Sequence, residues 1–194
     1  MHPVRAIAGL GNPGPEYVQT RHNIGFELID LFAARHNGSF KENKKAEALV
    51  SEVSMDGQKI TLIKPLTFMN RSGKSIGHLA RYFKWLPEQI AVVYDDITLD
   101  LARIKLSMQG SAGGHNGVAD ILSRFGNGFV RVRIGIGSKT HPDMDLADYV
   151  LGQFGDSDRK QIEAHYDHYL QAIDSLIQRG PEATMSQFNQ KPKS

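Results

Sequence analysis

Two apolar patterns alternate along this chain, and their alternation constrains the fold more than any other feature. Short continuous runs, "AIAGL" at 6–10 and "QIAVVYDD" at 89–96, read as buried strands. Between and after them lie stretches with apolar residues at helical spacing. These are "IGFELIDLFAARHNG" at 24–38, with Gly38 placed to stop it, "SGKSIGHLARYFKW" at 72–85 and "VADILSRF" at 118–125. "SDRKQIEAHYDHYLQAIDSLIQRG", 157–180, reads as one long amphipathic helix closed by Gly180 and Pro181. "EALVSEV" and "QKITLIKPL" read as strands joined by the turn "MDG", while "RIKLSM" and "FVRVRIGIG" add two more. Strands that interleave with helices argue an α/β fold, a twisted mixed β-sheet surrounded by α-helices. The hairpin and the short link before "RIKLSM" make the sheet mixed. The charged run "KENKK", 41–45, reads as an exposed loop.

The 194 residues are expected to form one domain over 1–188, followed by a disordered tail, "NQKPKS", at 189–194. A hydrophobic content of 40% supports a real core. The absence of cysteine excludes disulfides, thiolate catalysis and zinc–cysteine sites. No apolar run reaches membrane-spanning length and the N-terminus lacks a secretory apolar segment, so a cytoplasmic protein is expected. The net charge of +2 permits nucleic acid without demanding it.

Several motifs imitate known sites. Gly9, Gly11 and Gly14 fit the dinucleotide pattern G-x-G-x-x-G, but Pro13 and Pro15 disturb the required helix start. The nearest ribose-binding acid, Asp30, falls inside a helical pattern rather than at a strand end. "GKSIG", 73–77, matches the nucleophile elbow, yet Ser75 lies within a helix. "GKS" lacks the earlier glycine of a P-loop, because Phe68 stands there. His165 and His168, one helical turn apart, have no evident third metal ligand.

Other polar residues fall at one predicted edge of the sheet. Asn12 follows "AIAGL", Asn70 follows "KITLIKPLTFM" and Asp95 ends "AVVY". His115 and Asn116 stand where the glycine loop "GSAGGHNG" enters a helix, and His22 precedes the first helix. Open α/β sheets place sites outside the carboxyl ends of their strands, so these residues could line one cleft. Turn and helix-cap roles for the asparagines and His22, and cation binding by Asp95 and Asp96, are alternatives.

"GLGNPGPEYVQTRHNIGFELID", "KPLTFMNRSGKSI", "VVYDDITLDLARIKL", "GSAGGHNGVADI" and "RVRIGIG" together resemble bacterial peptidyl-tRNA hydrolases, in order from Ile7 to Phe188. The resemblance implies a three-layer sandwich and hydrolysis of the ester between a peptide and the 3′-terminal ribose of tRNA. It implies an RNA-binding enzyme of translation and ribosome rescue, monomeric, without cofactor or metal, acting on the acceptor stem and 3′ end. Carried across by motif, His22 is the general base and Asp95 its orienting partner. Asn12, Asn70 and Asn116, with Tyr17, Met69 and His115 nearby, bind substrate.

By period two, "FVRVRIGIG" places Arg131 and Arg133 on one strand face, and "ARIKLS" does the same for Arg103, Lys105 and Ser107. The resemblance implies that Lys105 and Arg133 clamp the tRNA 5′-phosphate. The chain departs from the family pattern at Asp96, Thr98 and Ser107, in the turn "DLA", and in the thinned glycine run "MQGSAGG". The loop "SRFGNGF" is short. Two rivals are a non-enzymatic RNA-binding or splicing-factor relative of the same fold and a serine esterase using Ser75.

Overall fold

The computed structural model describes residues 3–139, 141 and 143–190. Strand β1 (Ala6–Gly9) reaches helix α1 (Ile24–Arg35) through two single 3₁₀ turns, Pro15–Tyr17 and Arg21–Asn23. Next come β2 (Lys41–Asn43), β3 (Ala48–Met55) and β4 (Gln58–Pro65). A third 3₁₀ turn, Met69–Arg71, leads into α2 (Ser72–Phe83), then β5 (Ile90–Asp96) and β6 (Ile104–Ser107). The chain continues with α3 (Asn116–Phe125), β7 (Val130–Gly135) and α4 (Leu146–Leu151). It closes with α5 (Asp156–Ala164), α6 (Tyr166–Arg179) and α7 (Pro181–Phe188).

The seven strands run in the order β2-β3-β4-β1-β5-β7-β6. The central four, β4, β1, β5 and β7, are parallel, and the antiparallel pairs lie toward the edges. Because the central strands are apolar on both faces, each face buries its own core. On one side Ile7, Leu62 and Val93 meet Leu28 and Phe32 of α1 and Tyr169 and Ile173 of α6. On the other, Ala8, Ile63 and Val92 meet Ile76 and Leu79 of α2 and Val118 and Ile121 of α3. The result is three layers, as the alternation of patterns demands.

Three sequence expectations change. "KENKK" is not wholly loop: Lys41–Asn43 pair with Ala48–Val50 as the edge strand β2, where charged side chains blunt further pairing. The long C-terminal helix breaks at His165 (φ −101°, ψ 0°) into α5 and α6, which lets each pack independently. Helix α4, capped by Asp145 accepting from Ala147 N at 2.7 Å, has no counterpart among the predicted elements. At the C-terminus, Asn189 is held by two hydrogen bonds with the Leu106 backbone, and residues 191–194 of the expected tail lie outside the described residues. Among the described residues no helix is long and apolar enough to cross a membrane.

Strand polarity positions the site. β1, β4 and β5 all end at one edge of the sheet, and the turns after them carry Asn12, Asn70 and Asp95 there. Gly25 of α1 explains how close the first helix lies: a Cβ on it would meet Val93 O at 2.4 Å and Leu10 N at 2.5 Å. Only glycine allows that approach.

Candidate active site

A cleft of about 880 Å³ opens at this edge. Its walls come from the turns after β1, β4 and β5, from β6 and β7, from the loop 109–114 and from α4. Burial parity explains the basic side. Ile104, Leu106, Val132 and Ile134 face the α1–α6 core, so Lys105, Ser107, Arg131 and Arg133 turn to the opposite face and line the cleft.

The turn that carries His22 is tied down on both sides. Arg21 N donates to Gly152 O at 3.0 Å, and Arg21 Nη1 donates to Tyr149 O at 3.1 Å. On the other flank Asn12 N donates to Asn23 Oδ1 at 2.8 Å, and Asn23 Nδ2 donates back to Asn12 O at 2.9 Å. His22 is thereby held buried, with Nδ1 2.8 Å from Asp95 Oδ1. A carboxylate accepts only, so Nδ1 carries the proton and a neutral His22 presents the Nε2 lone pair.

The same Asp95 oxygen lies 3.0 Å from His115 Nε2. His115 Nδ1 accepts from Val118 N at 3.3 Å, capping α3. Both ring nitrogens of His115 are therefore engaged, which fixes its tautomer as Nε2–H. Asp95 is almost fully buried at 3% exposure. Burial pushes its pKa up. Electrostatic attraction to the His22 and His115 rings and the hydrogen bonds from both outweigh that and hold the carboxyl well below the usual carboxylate range.

The asparagines occupy three different settings. Asn12 is buried, and its Oδ1 accepts from Met69 N at 2.7 Å, which fixes the orientation of the carboxamide and leaves Nδ2 a donor without a partner among the described residues. Asn70 and Asn116 are exposed on the cleft wall, one on a 3₁₀ turn and one opening α3. Met69 is buried in the same wall. Tyr17 does not line the cleft; its ring meets Phe68 edge-on at 6.3 Å, and Phe68 forms the lip.

Lys105 and Arg133 are direct cross-strand partners. Arg133 Nη1 reaches Asp96 Oδ2 at 3.1 Å, and its buried Nε has no partner among the described residues. Asp96 Oδ1 accepts from Thr98 N at 2.8 Å, so Asp96 serves the turn and the arginine rather than pairing with Asp95 as a cation site. Arg131 departs from the open basic face implied by strand alternation. It is 2% exposed and runs beneath the glycine loop.

The imitating motifs resolve as structure. Ser75 is fully buried in α2 and donates to Glu47 O at 3.0 Å. Asp30 sits on α1 and pairs with Lys64. His168 packs its ring, tilted by 46°, against Phe188 at 5.1 Å between centroids. Sequence reasoning placed Arg131 only on a basic strand face, and it missed Phe68, Tyr94 and the α4 residues Leu146, Val150 and Leu151, all of which line the cleft. Of these, only the apolar character of Phe68 beside Asn70 was a usable signal.

Known proteins share this chain's sequence pattern and fold. A family model described as peptidyl-tRNA hydrolase matches residues 6–194. The peptidyl-tRNA hydrolase of Clostridium acetobutylicum is 42% identical over 184 residues, covering 94% of this chain and 96% of that protein. That of Gloeobacter violaceus is 40% identical over 187 residues, covering 96% and 94%. The crystal structure of the Acinetobacter baumannii peptidyl-tRNA hydrolase superposes with a TM-score of 0.92 at 33% identity, covering 97% of each chain. Sequence and fold agree along nearly the whole length, and on that agreement this chain belongs to the peptidyl-tRNA hydrolase family.

Proposed function

We propose that this protein hydrolyses the ester joining a peptide to the 3′-terminal ribose of tRNA, as a cytoplasmic monomer without metal or cofactor. The observation that carries the reading is the His22–Asp95 hydrogen bond of 2.8 Å, with His22 on the wall of the cleft. It fixes the tautomer in which the unprotonated ring turns its Nε2 lone pair toward the place an ester would lie. Water attacks the carbonyl carbon as His22 Nε2 takes its proton. Asp95 keeps the ring in this tautomer and stabilises the imidazolium without being protonated. The tetrahedral oxyanion is met by side-chain amide donors, of which Asn12 Nδ2 is the one already oriented. His22 then returns the proton to the departing ribose oxygen, releasing peptide acid and tRNA. Asn70 and Asn116 position the substrate, and Tyr17 acts through Phe68.

Lys105 and Arg133 supply the tRNA contact. Like charges directly opposite on a ladder repel, and Asp96 offsets only part of this. A 5′-phosphate between them would complete the compensation and give Arg133 further acceptors. His22, Asp95 and His115 could also hold a metal, since their ligand atoms lie within 4.8 Å of one another. We read them as a hydrogen-bonded trio, because both rings point N–H groups at one oxygen. The test is peptidyl-tRNA cleavage after exhaustive EDTA treatment, with tRNA folding checked separately. Cleavage should persist. Activity that vanished and returned only with Zn²⁺ would sink the mechanism, and no cleavage under any condition would favour an RNA-binding role.

A further inference from the structure

Arg131 lies in the cleft floor, and none of the steps above uses it. Its guanidinium is buried, yet among the described residues it has no carboxylate partner. It holds two backbone carbonyls and one side-chain amide instead, while its buried Nε has no partner among the described residues. Nη1 donates to Ser111 O at 2.6 Å, and Nη2 donates to Gly110 O and to Asn127 Oδ1, the latter at 3.2 Å. The group also lies 4.8 Å from the Phe129 ring centroid. The held segment is the glycine loop 108–114, which joins β6 to the cap of α3. Gly110, Gly113 and Gly114 have positive φ there, of 148°, 57° and 83°. Among the described residues that loop makes one other hydrogen bond, from His115 N to Ala112 O at 2.9 Å.

We propose that Arg131 is a positioning residue, a buried strut that fixes the glycine loop over the sheet. It thereby sets where His115 and Asn116 stand relative to Lys105 and Arg133. The physical argument is mutual dependence. Met108 and Ala112 rest on the two cores, but a glycine-rich loop has much backbone freedom to lose and here few hydrogen bonds to oppose it. A buried guanidinium cannot shed its proton and needs acceptors. Each supplies what the other lacks, so swinging the loop away would strand a cation. Arginine suits this because its rigid fork reaches two consecutive carbonyls at once, whereas lysine offers a single point. The loop's far end is His115, whose Nε2 reaches Asp95, so the strut acts on the trio as well as on the cleft wall. The catalytic part of this inference rests on the proposed function; the structural part does not.

The experiment has two arms. In the wild-type chain, NMR should show resolved Arg131 Nη–H resonances with couplings across hydrogen bonds to the Gly110 and Ser111 carbonyl carbons. Their absence overturns the strut. In Arg131→Lys and Arg131→Ala, ¹⁵N order parameters at Gly110, Gly113 and Gly114 should fall from the rigid range of about 0.85 toward 0.6, further in the alanine variant. With peptidyl-tRNA, kcat/KM should drop roughly 10–10²-fold in Arg131→Ala, by the same factor with or without the tRNA 5′-phosphate. Guanidinium ion at low concentration should restore part of it, and Arg131→Lys should be intermediate. Unchanged loop order in a folded variant overturns the proposal. So does a loosened loop with wild-type kinetics, and so does an effect that disappears on dephosphorylated tRNA, which would make Arg131 a phosphate ligand. Should Arg131→Ala fail to fold, the lysine variant and the wild-type couplings decide. If no chain cleaves peptidyl-tRNA, the NMR arm still tests the strut while the functional reading alone fails.

Discussion

His22 and His115 share one acceptor: Asp95 Oδ1 lies 2.8 Å from His22 Nδ1 and 3.0 Å from His115 Nε2, with the two ring centroids 4.8 Å apart. The pairing is asymmetric. His115 spends its other nitrogen on the Val118 amide, while among the described residues His22 Nε2 has no hydrogen-bond partner. Two histidines on one carboxylate are therefore engaged differently, and under the proposed function only His22 has a nitrogen left to act as a base.

Replacing His22 by Ala should lower kcat by roughly 10²–10⁴-fold, the usual worth of a positioned general base. Replacing His115 by Ala should cost less in kcat and more in stability, about 0.5–2 kcal/mol, because a helix cap is lost. Steady-state kinetics and urea midpoints on both variants check the asymmetry. Equal losses of kcat would refute it.

The lowered pKa of Asp95 makes a statement about acid stability. An unfolded aspartate titrates near 3.9, so Asp95's contribution is complete above roughly pH 4 and is lost as pH falls through the lower folded value. The stability gap between wild type and Asp95→Asn should therefore hold at neutral pH and narrow below about pH 4. Urea unfolding of both proteins between about pH 3 and 7 measures it. A gap that stays constant to the acid end would show that Asp95 is not held ionised by its neighbours.

Replacing Lys105 or Arg133 by Ala should raise KM for peptidyl-tRNA and leave cleavage of a minimal peptidyl-adenosine ester nearly unchanged. Phosphate contacts release counterions, so the wild-type advantage should shrink as salt rises. Removing the tRNA 5′-phosphate should mimic either substitution, and the two changes together should not add fully. Full additivity would mean that these side chains do not touch that phosphate.

Ser75→Ala should leave kcat and KM at wild-type values. Its Oγ is spent on Glu47 O inside the fold, so the expected cost is in stability, about 0.5–1.5 kcal/mol for one hydrogen bond. A collapse of kcat without unfolding would revive the serine esterase reading.

The three layers are legible in the chain because buried parallel strands and amphipathic helices carry distinct local periodicities. "AIAGL" and "AVVY" admit little else. Asn12, Asn70 and Asp95 fall into one group on sequence grounds alone, since each lies in the turn after an apolar strand or at its end and parallel strands bring such turns to one edge. Other features depend on long-range contacts that no local pattern encodes. Strand alternation puts Arg131 beside Arg133 on an open basic face, yet the returning glycine loop covers Arg131 and leaves Arg133 reaching Asp96. Family resemblance groups Tyr17 with the substrate residues, and only the fold brings its ring edge-on to Phe68, the lip of the cleft. The shared oxygen of Asp95 joins residues 73 and 20 positions apart in the chain. Periodicity decides which face a side chain takes; only the packing of distant segments decides what it meets there.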